Sequence, residues 1–344
     1  MKILLQNRNN FGSSVAGDSI QLIKTKEYLE KLDLDIKISS DTELDIETYD
    51  LIHLFNIMPI EETFRQFQNV KRQRKKFVLS TIYLDPTEFL TVTGQNRTFG
   101  EWWERTMPLR REVLKEAVLI LPNSKMELEI LKNNFGRLPP ALIIPNAADP
   151  LFTLAKPDRF FQKYHLQDFL LSVGRICRRK NQLMLIRAAR ELNLTLVLIG
   201  PINDGLYYRE CRREAAGHKV IFIDSLTPLE LSSAYAAARI HALVSWYDTP
   251  GLVSLEAALA GCNIVTTDRG SPREYFGNLA YYCDPGKRDS ICQAIRDAWH
   301  GTKDHRLKEL VFNNYTWEKA ALKTYRAYQS VCSHQLAELA LKEE

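Results

Sequence analysis

Residues 245–274 read SWYDTPGLVSLEAALAGCNIVTTDRGSPRE, and the reading of this stretch decides the fold. It follows the apolar run IHALV at 240–244, which has the length and composition of a buried strand. Asp248-Thr249-Pro250-Gly251 are turn formers. A helical pattern starts at Leu252 and ends at Gly261, a residue suited to closing a helix. Ile264-Val265-Thr266-Thr267 is the next apolar run. The order is strand, tight loop, short helix, strand.

Two carboxylates stand in this unit, Asp248 in the loop and Glu256 on the second helical turn. Glu256 shares a face with Leu252, Leu259 and Ala260 by three-and-four spacing. A carboxylate on such a face is costly unless something hydrogen-bonds it. Either a local partner such as an arginine satisfies it, or a frayed helix exposes it, or it accepts hydrogen bonds from the hydroxyls of a ligand. The amides near Gly251 and Leu252 form an open helix start, which suits phosphate.

Outward from this stretch the same alternation repeats. In the second half, apolar runs stand at 169–173, 196–199, 220–223, 240–244 and 264–267, with helical segments between them. In the first half they stand at 2–5, 34–38, 50–55, 77–82, 117–121 and 141–144. Helical patterns separate most of them, and Ser124 with Glu127 three residues on reads as a helix start. Strands alternating with helices predict an α/β fold with parallel sheets covered on both faces. Residues 150–167 are a polar break, so we expect two doubly wound, Rossmann-like domains. These are an N-terminal one at 1–150 and a C-terminal one at 168–314, followed by a helical tail at 315–344 carrying Trp317, Ala321, Tyr325 and Tyr328.

At 344 residues, with 45% hydrophobic and 26% charged side chains, the chain has the make-up of a soluble globular protein. No apolar run is long enough to span a bilayer. The start MKILLQNRNN lacks a secretory core and reads as a first strand. The six cysteines show neither CxxC pairs nor metal-like spacing, so free thiols in a reducing cytoplasm are expected. A net charge of +4 does not argue for a nucleic-acid partner.

Gly174-Arg175 follow the first strand of the second domain, with Lys180-Asn181 beyond. Cations at the C-terminal end of a parallel strand stand where open sheets bind ligands. Arg175 and Lys180 are suited to neutralising two phosphates, and fixed cations help most where charge develops on a departing group. The competing reading is a solvated basic turn that includes Arg178 and Arg179. In the first domain Gly12 and Gly17 lie in the loop after the first strand, as an ordinary flexible loop or as a close approach to ligand. His53 and Asn56 end the third strand, His53 either as a satisfied structural residue or lining a cleft. The basic run at 71–76 is a solvated helix end or an attractor of anionic lipid heads, with Trp102 and Trp103 packed inside or at such an interface.

The stretch at 245–274 resembles the acid-x7-acid signature of the family 4 retaining glycosyltransferases, which use nucleotide-sugar donors. The family pattern of Glu, a Phe-Gly-Leu-like turn, Leu-Glu-Ala and a small-residue-Gly ending appears here as Asp248, Pro250-Gly251-Leu252, Leu255-Glu256-Ala257 and Ala260-Gly261. The first acid departs from the pattern, Asp being one methylene shorter than Glu. Gly270-Ser271-Pro272-Arg273-Glu274 looks like the family's Gly-Gly-x-x-Glu segment, and Gly174-Arg175 with Lys180 like its basic pair. The resemblance covers the whole chain and is stronger in the second domain.

It implies a GT-B arrangement, two Rossmann-like domains facing a central cleft, with the tail crossing back onto the first. Arg175 and Lys180 would grip the donor diphosphate beside Gly174, and Asp248 would face the transferred sugar. Glu256 would hold ribose hydroxyls, and the backbone at Gly251, Leu252 and Val253 would contact phosphate or sugar. Asp224 would border the base or, on the competing reading, cap the helix that enters Pro228. On the acceptor side stand Gly12, Gly17 and His53. Tyr83 and Asp85 are the candidates where many members carry a His-Asp-like site. The resemblance further implies a cytoplasmic enzyme, with peripheral contact at the inner face of the membrane as a further expectation. It would use neither metal nor other cofactor, taking a UDP- or GDP-sugar donor and a glycan or lipid-linked acceptor in surface polysaccharide or glycoconjugate synthesis. A non-catalytic nucleotide-sugar or glycan binder is the competing class. A dehydrogenase would need a Gly-x-Gly-x-x-Gly after a first strand, which neither 7–17 nor 174–180 supplies.

Overall fold

The computed structural model describes residues 1–9, 17–94, 97–303 and 305–333. The chain forms two compact units, one of Met1–Asn146 with the terminal helix Trp317–Cys332, the other of Ala147–Thr316.

The first unit holds a sheet of β1 (Lys2–Gln6), β2 (Asp35–Ser39), β3 (Leu51–Phe55), β4 (Phe77–Ser80) and β5 (Leu119–Ile120), in the order β2-β1-β3-β4-β5 and parallel throughout. Every side chain of β3 and β4 is buried, as expected of strands covered on both faces. The run at 141–144 makes only a single bridge, Ala141 to Ile120, although the Leu142 and Ile144 amides bond to the carbonyls of Ile120 and Pro122. Pro139-Pro140 supply no donors just ahead of it, which limits pairing to this edge. Ser124 caps the helix Lys125–Phe135, its side chain accepting from the Glu127 amide. The terminal helix packs against the helix Gly17–Glu30.

The basic run at 71–76 is largely engaged within the unit. Lys71 reaches Glu112 and Glu116 at 3.4 and 3.6 Å, Arg72 pairs with Glu43 at 2.5 Å, and Lys75 donates to the carbonyls of Glu47 and Tyr49. Trp103 is buried, the Trp102 indole donates to Glu61, and both rings flank the buried Arg110 guanidinium. Lys71, Arg72, Arg74 and Lys76 are exposed, as a solvated helix end has them, whereas Trp103 is packed inside. Among the described residues no helix is long and apolar enough to cross a membrane.

The second unit holds β6 (Leu170–Val173), β7 (Leu196–Ile199), β8 (Val220–Ile223), β9 (Ile240–Leu243), β10 (Asn263–Thr267) and β11 (Tyr281–Cys283), in the order β11-β10-β9-β6-β7-β8. The short β11 was not expected from the sequence; its three residues show no alternation long enough to read. Side chains alternate across the sheet, so Leu171 and Val173 enter one core and Leu170 the other. Leu255, Ala258 and Leu259 of the helix Leu252–Leu259 pack into the first of these cores. Burying each leucine there is worth about 1.5–3 kcal/mol. The strand order reverses between β6 and β9, which pair directly. At such a switch point the neighbouring loops leave in opposite directions, opening a crevice at the carboxyl ends of the strands. Everything that follows β6 and β9 in sequence is thereby aimed at one place.

Candidate functional site

The loop after β6 is built for a fixed shape. Gly174 closes the strand through a hydrogen bond from its amide to the Ile199 carbonyl, and the Arg175 carbonyl accepts from the Gln182 side chain. Arg178–Lys180 form one 3-10 turn, ended by Asn181 in the left-handed region at φ +60°. The Asn181 amide group then donates to the carbonyls of Val244 and Pro285. From the other side the Trp246 amide bonds to the Arg179 carbonyl at 2.9 Å, and the Arg179 guanidinium donates to the Tyr247 carbonyl at 2.8 Å. The loops after β6 and β9 are therefore stitched together through backbone groups.

Two glycines allow this closeness. Gly251 has φ +88°, and a Cβ there would stand 2.4 Å from Leu243 Cδ2. Gly270 has φ +75°, and a Cβ there would stand 2.5 Å from the Asp248 carbonyl oxygen, with which the segment forms a bridge. Both positions combine a left-handed backbone with no room for a side chain.

At the centre Lys180 Nζ lies 2.5 Å from Asp248 Oδ2, with Arg179 Nη1 at 3.7 Å from the same oxygen. Burial opposes the Asp248 charge most strongly, but Lys180 and Arg179 outweigh it and hold the carboxyl below its ordinary range. Lys180 is moved the other way on balance: burial, helped by Arg179, keeps its ammonium below the usual lysine range despite Asp248. The two directions agree once the charges are counted, since two cations share one carboxylate and leave one positive charge uncompensated. Beneath them His241 is buried and neutral, pushed down to about 3 by burial with Lys180 contributing, and its Nε2 has no partner.

Arg175, at the end of β6, has no hydrogen bond or ion pair from its guanidinium among the described residues. Arg178 is different, clasping Glu210 at 2.7 Å and Asp204 at 3.4 Å. The helix Leu252–Leu259 starts at Gly251 without a side-chain cap. The Leu252 and Val253 amides thus have no intrahelical acceptor and carry the positive end of the helix dipole. Glu256, half-buried on the second turn, accepts from the hydroxyl of the buried Tyr235 at 3.0 Å. The loop around Arg175, Lys180 and the helix start thus supplies cations and open amides, the chemistry of an oxyanion site.

The remaining expected site residues fall elsewhere. Asp224 is exposed, and the helix entering Pro228 is capped by Thr227 in a reciprocal capping box with Glu230, so the cap expected at Asp224 is displaced by three residues. The Thr227-x-x-Glu230 spacing is the sequence signal of that start. His53 is buried with both ring nitrogens engaged, at 2.6 Å to the Tyr328 hydroxyl and 2.8 Å to Ser80 Oγ, and burial pushes it down to about 3. This is the satisfied structural histidine rather than a ring free to line a cleft. Tyr83 is buried against Trp103 and Phe135, its hydroxyl accepting from Asn134. Asp85 accepts from the same Asn134 and from the Thr87 amide. Gly17 is exposed at the first position of its helix, and Gly12 lies outside the described residues. The sequence reading missed Tyr235, His241 and Asn181, which come from separate elements, and left Arg179 without a role.

Comparison with known proteins follows the same division. The model of the glycosyl transferases group 1 family matches residues 157–311. An uncharacterized glycosyltransferase of Methanocaldococcus jannaschii is 27% identical over 176 residues, 47% of this chain and 45% of that protein. An N-acetylgalactosamine-N,N'-diacetylbacillosaminyl-diphospho-undecaprenol 4-alpha-N-acetylgalactosaminyltransferase of Campylobacter jejuni is 32% identical over 176 residues, 47% of this chain and 45% of that protein. The chain thus spans less than half the length of these curated relatives. Among solved structures, sucrose-phosphate synthase from Thermosynechococcus elongatus superposes with a TM-score of 0.83 at 16% identity, covering 97% of this chain and 100% of that one. HepE of Anabaena, solved with UDP and glucose, gives 0.75 at 16% identity over 96% of this chain and 100% of that one. At these identities the structures speak for the fold, two parallel-sheet α/β units of the GT-B type. Residues 157–311, which carry Arg175, Lys180, Asp248 and Glu256, are the part of this chain that matches the group 1 glycosyl transferases.

Proposed function

We propose that this chain is a retaining glycosyltransferase that moves a sugar from a UDP- or GDP-sugar to a glycan or lipid-linked saccharide, in the synthesis of a surface polysaccharide or glycoconjugate. The observation that carries the reading is the uncompensated positive charge of Lys180, Arg179 and Asp248, set beside the unpaired Arg175 at the β6–β9 switch point. In the reaction the anomeric carbon breaks its bond to the diphosphate oxygen and forms one to the acceptor oxygen, whose proton passes to the departing phosphate. The leaving group gains negative charge as that bond breaks. Arg175, Lys180 and the Leu252 and Val253 amides are positioned to stabilise it, with no step that requires a metal ion. Glu256, which accepts from Tyr235, takes the ribose hydroxyls in this reading. Asp248, expected to face the sugar, also pairs with Lys180 and lies near Arg179. That HepE is solved with UDP and glucose supports a uridine donor as the first to try.

A thermal-shift screen of UDP-, GDP-, ADP- and CMP-sugars tests the donor. A ligand at about 100 times its Kd stabilises the native state by about 2.7 kcal/mol. Stabilisation by a UDP- or GDP-sugar, with slow donor hydrolysis that Glu256→Ala and Lys180→Ala lose, is the expected result. Binding without hydrolysis or transfer to any acceptor would favour a non-catalytic binder. Stabilisation by none of the four would remove the donor reading.

A further inference from the structure

The basic segment that draws attention in the sequence, 71–76, is largely engaged internally, but a second basic surface is not. The helix Gly205–Ala215 buries Tyr207, Cys211 and Ala215 and turns Leu206, Arg209, Arg212 and Arg213 outward, all exposed. The acids nearby are already taken: Glu210 and Asp204 by Arg178, Glu214 by Arg187 and Arg190. Among the described residues none of Arg209, Arg212 and Arg213 has a carboxylate within ion-pair distance, Arg212 lying instead over the Phe222 ring. A shallow groove of about 560 Å³ runs between Leu206, Arg209, Glu210, Arg212 and Arg213. A second, of about 360 Å³, shares Glu210 and Arg213 with it and adds Arg187 and Arg190.

We propose that this arginine face of the helix Gly205–Ala215 docks the protein on an anionic phospholipid surface. Charge complementarity calls for an anionic partner, since three guanidinium groups stand in solvent with no carboxylate at ion-pair distance among the described residues, and the nearby Glu210 is already bonded to Arg178. Leu206 selects among anionic partners. It is 64% exposed amid the arginines, and Ile202, just ahead of the helix, is 48% exposed. A soluble polyanion gains little from an exposed leucine, whereas a headgroup layer offers both phosphates for the arginines and an acyl boundary for the apolar side chain. Arginine presents a planar fork that meets phosphate oxygens in pairs, so its use here in place of lysine fits the same ligand. The surface does not depend on the donor site for its argument.

The test is co-sedimentation of the full chain with vesicles of phosphatidylcholine alone or with roughly a third of phosphatidylglycerol. Wild type is expected to bind only the anionic vesicles, and less at high salt. Each arginine near such a surface is worth about a fivefold change in partition, so R209Q/R212Q/R213Q is expected to bind about 100-fold more weakly with an unchanged melting temperature. Leu206→Ser is expected to weaken vesicle binding a few-fold, and K71Q/R72Q to leave it unaltered. Failure of wild type to sediment with anionic vesicles overturns the proposal, as does undiminished binding by the triple arginine variant. So does loss of binding through K71Q/R72Q, or capture of inorganic polyphosphate by a wild-type chain that ignores the vesicles.

Discussion

The two units place polar groups at equivalent points and treat them in opposite ways. In the first, the central strands β1 and β3 lead into charged and ring groups paired with one another, beside buried Gln6 Oε1 and Asn7 Nδ2 that have no partner among the described residues. Arg8 pairs with Asp18 at 2.9 Å, Asn56 donates to the same carboxylate, and His53 is bracketed by Ser80 and Tyr328. In the second, β6 and β9 lead into a cluster with one carboxylate for two cations, a further unpaired arginine and an uncapped helix start. A network that satisfies itself stabilises a fold and asks for nothing more. One left with net charge in a buried setting keeps a standing affinity for an anion. On the proposed function this difference assigns the donor to the second unit, while the His53 ring of the first is engaged on both nitrogens.

The largest way to break this comparison is Lys180→Ala. Removing one fixed donor to a developing charge costs about a thousandfold in turnover, so glycosyl transfer or donor hydrolysis should nearly vanish, while stability falls less than for Asp248→Asn because Arg179 still balances the carboxylate. If turnover survives within a fewfold, the cluster is structural like its counterpart in the first unit.

Asp248→Asn comes next, and its effect should depend on pH. The folded carboxyl is held below its unfolded value, so the stability it contributes is full above the ordinary carboxyl range of about 4 and is lost as pH falls through the depressed value. Breaking a buried pair by removing one partner costs about 3 kcal/mol. Urea unfolding of the variant at neutral pH should show that deficit, and at acid pH the two proteins should converge. A deficit that stays constant with pH would mean that the carboxylate is not the charge-balancing group.

Gly270→Ala should follow at about 2 kcal/mol, from left-handed strain and the collision with the Asp248 carbonyl. It should weaken nucleotide binding as well as stability, because it shifts the loop that carries Asp248. Tyr328→Phe is the smallest, about 1 kcal/mol for a buried hydrogen bond to His53, with nucleotide affinity unaltered. A change in donor affinity there would erase the contrast between the units.

Much of this was legible in the sequence where one element carries the signal. The β9–loop–helix–β10 segment could be read from its apolar runs and turn formers, and the helix Leu252–Leu259 begins where the pattern placed it. Arg175 and Lys180 could be singled out because a strand's C-terminal end has a known direction. What could not be read were the pairings made by residues distant in sequence. His53 and Tyr328 are 275 residues apart, and Lys180 and Asp248 are 68 apart. No periodicity reports such a contact. The same holds for charge: the sequence shows an acid-free basic run at 71–76 and arginines at 209, 212 and 213 interleaved with Glu210 and Glu214, yet only the folded placement of acids tells which cations are paired.

The most direct test of the central claim is calorimetric titration of UDP into wild type, Arg175→Ala and Lys180→Ala, with Tyr328→Phe as the reference from the other unit. The account predicts that each alanine variant binds at least tenfold more weakly, as loss of a hydrogen bond from a charged group implies, while the reference binds like wild type. Equal affinity across all four proteins would contradict it.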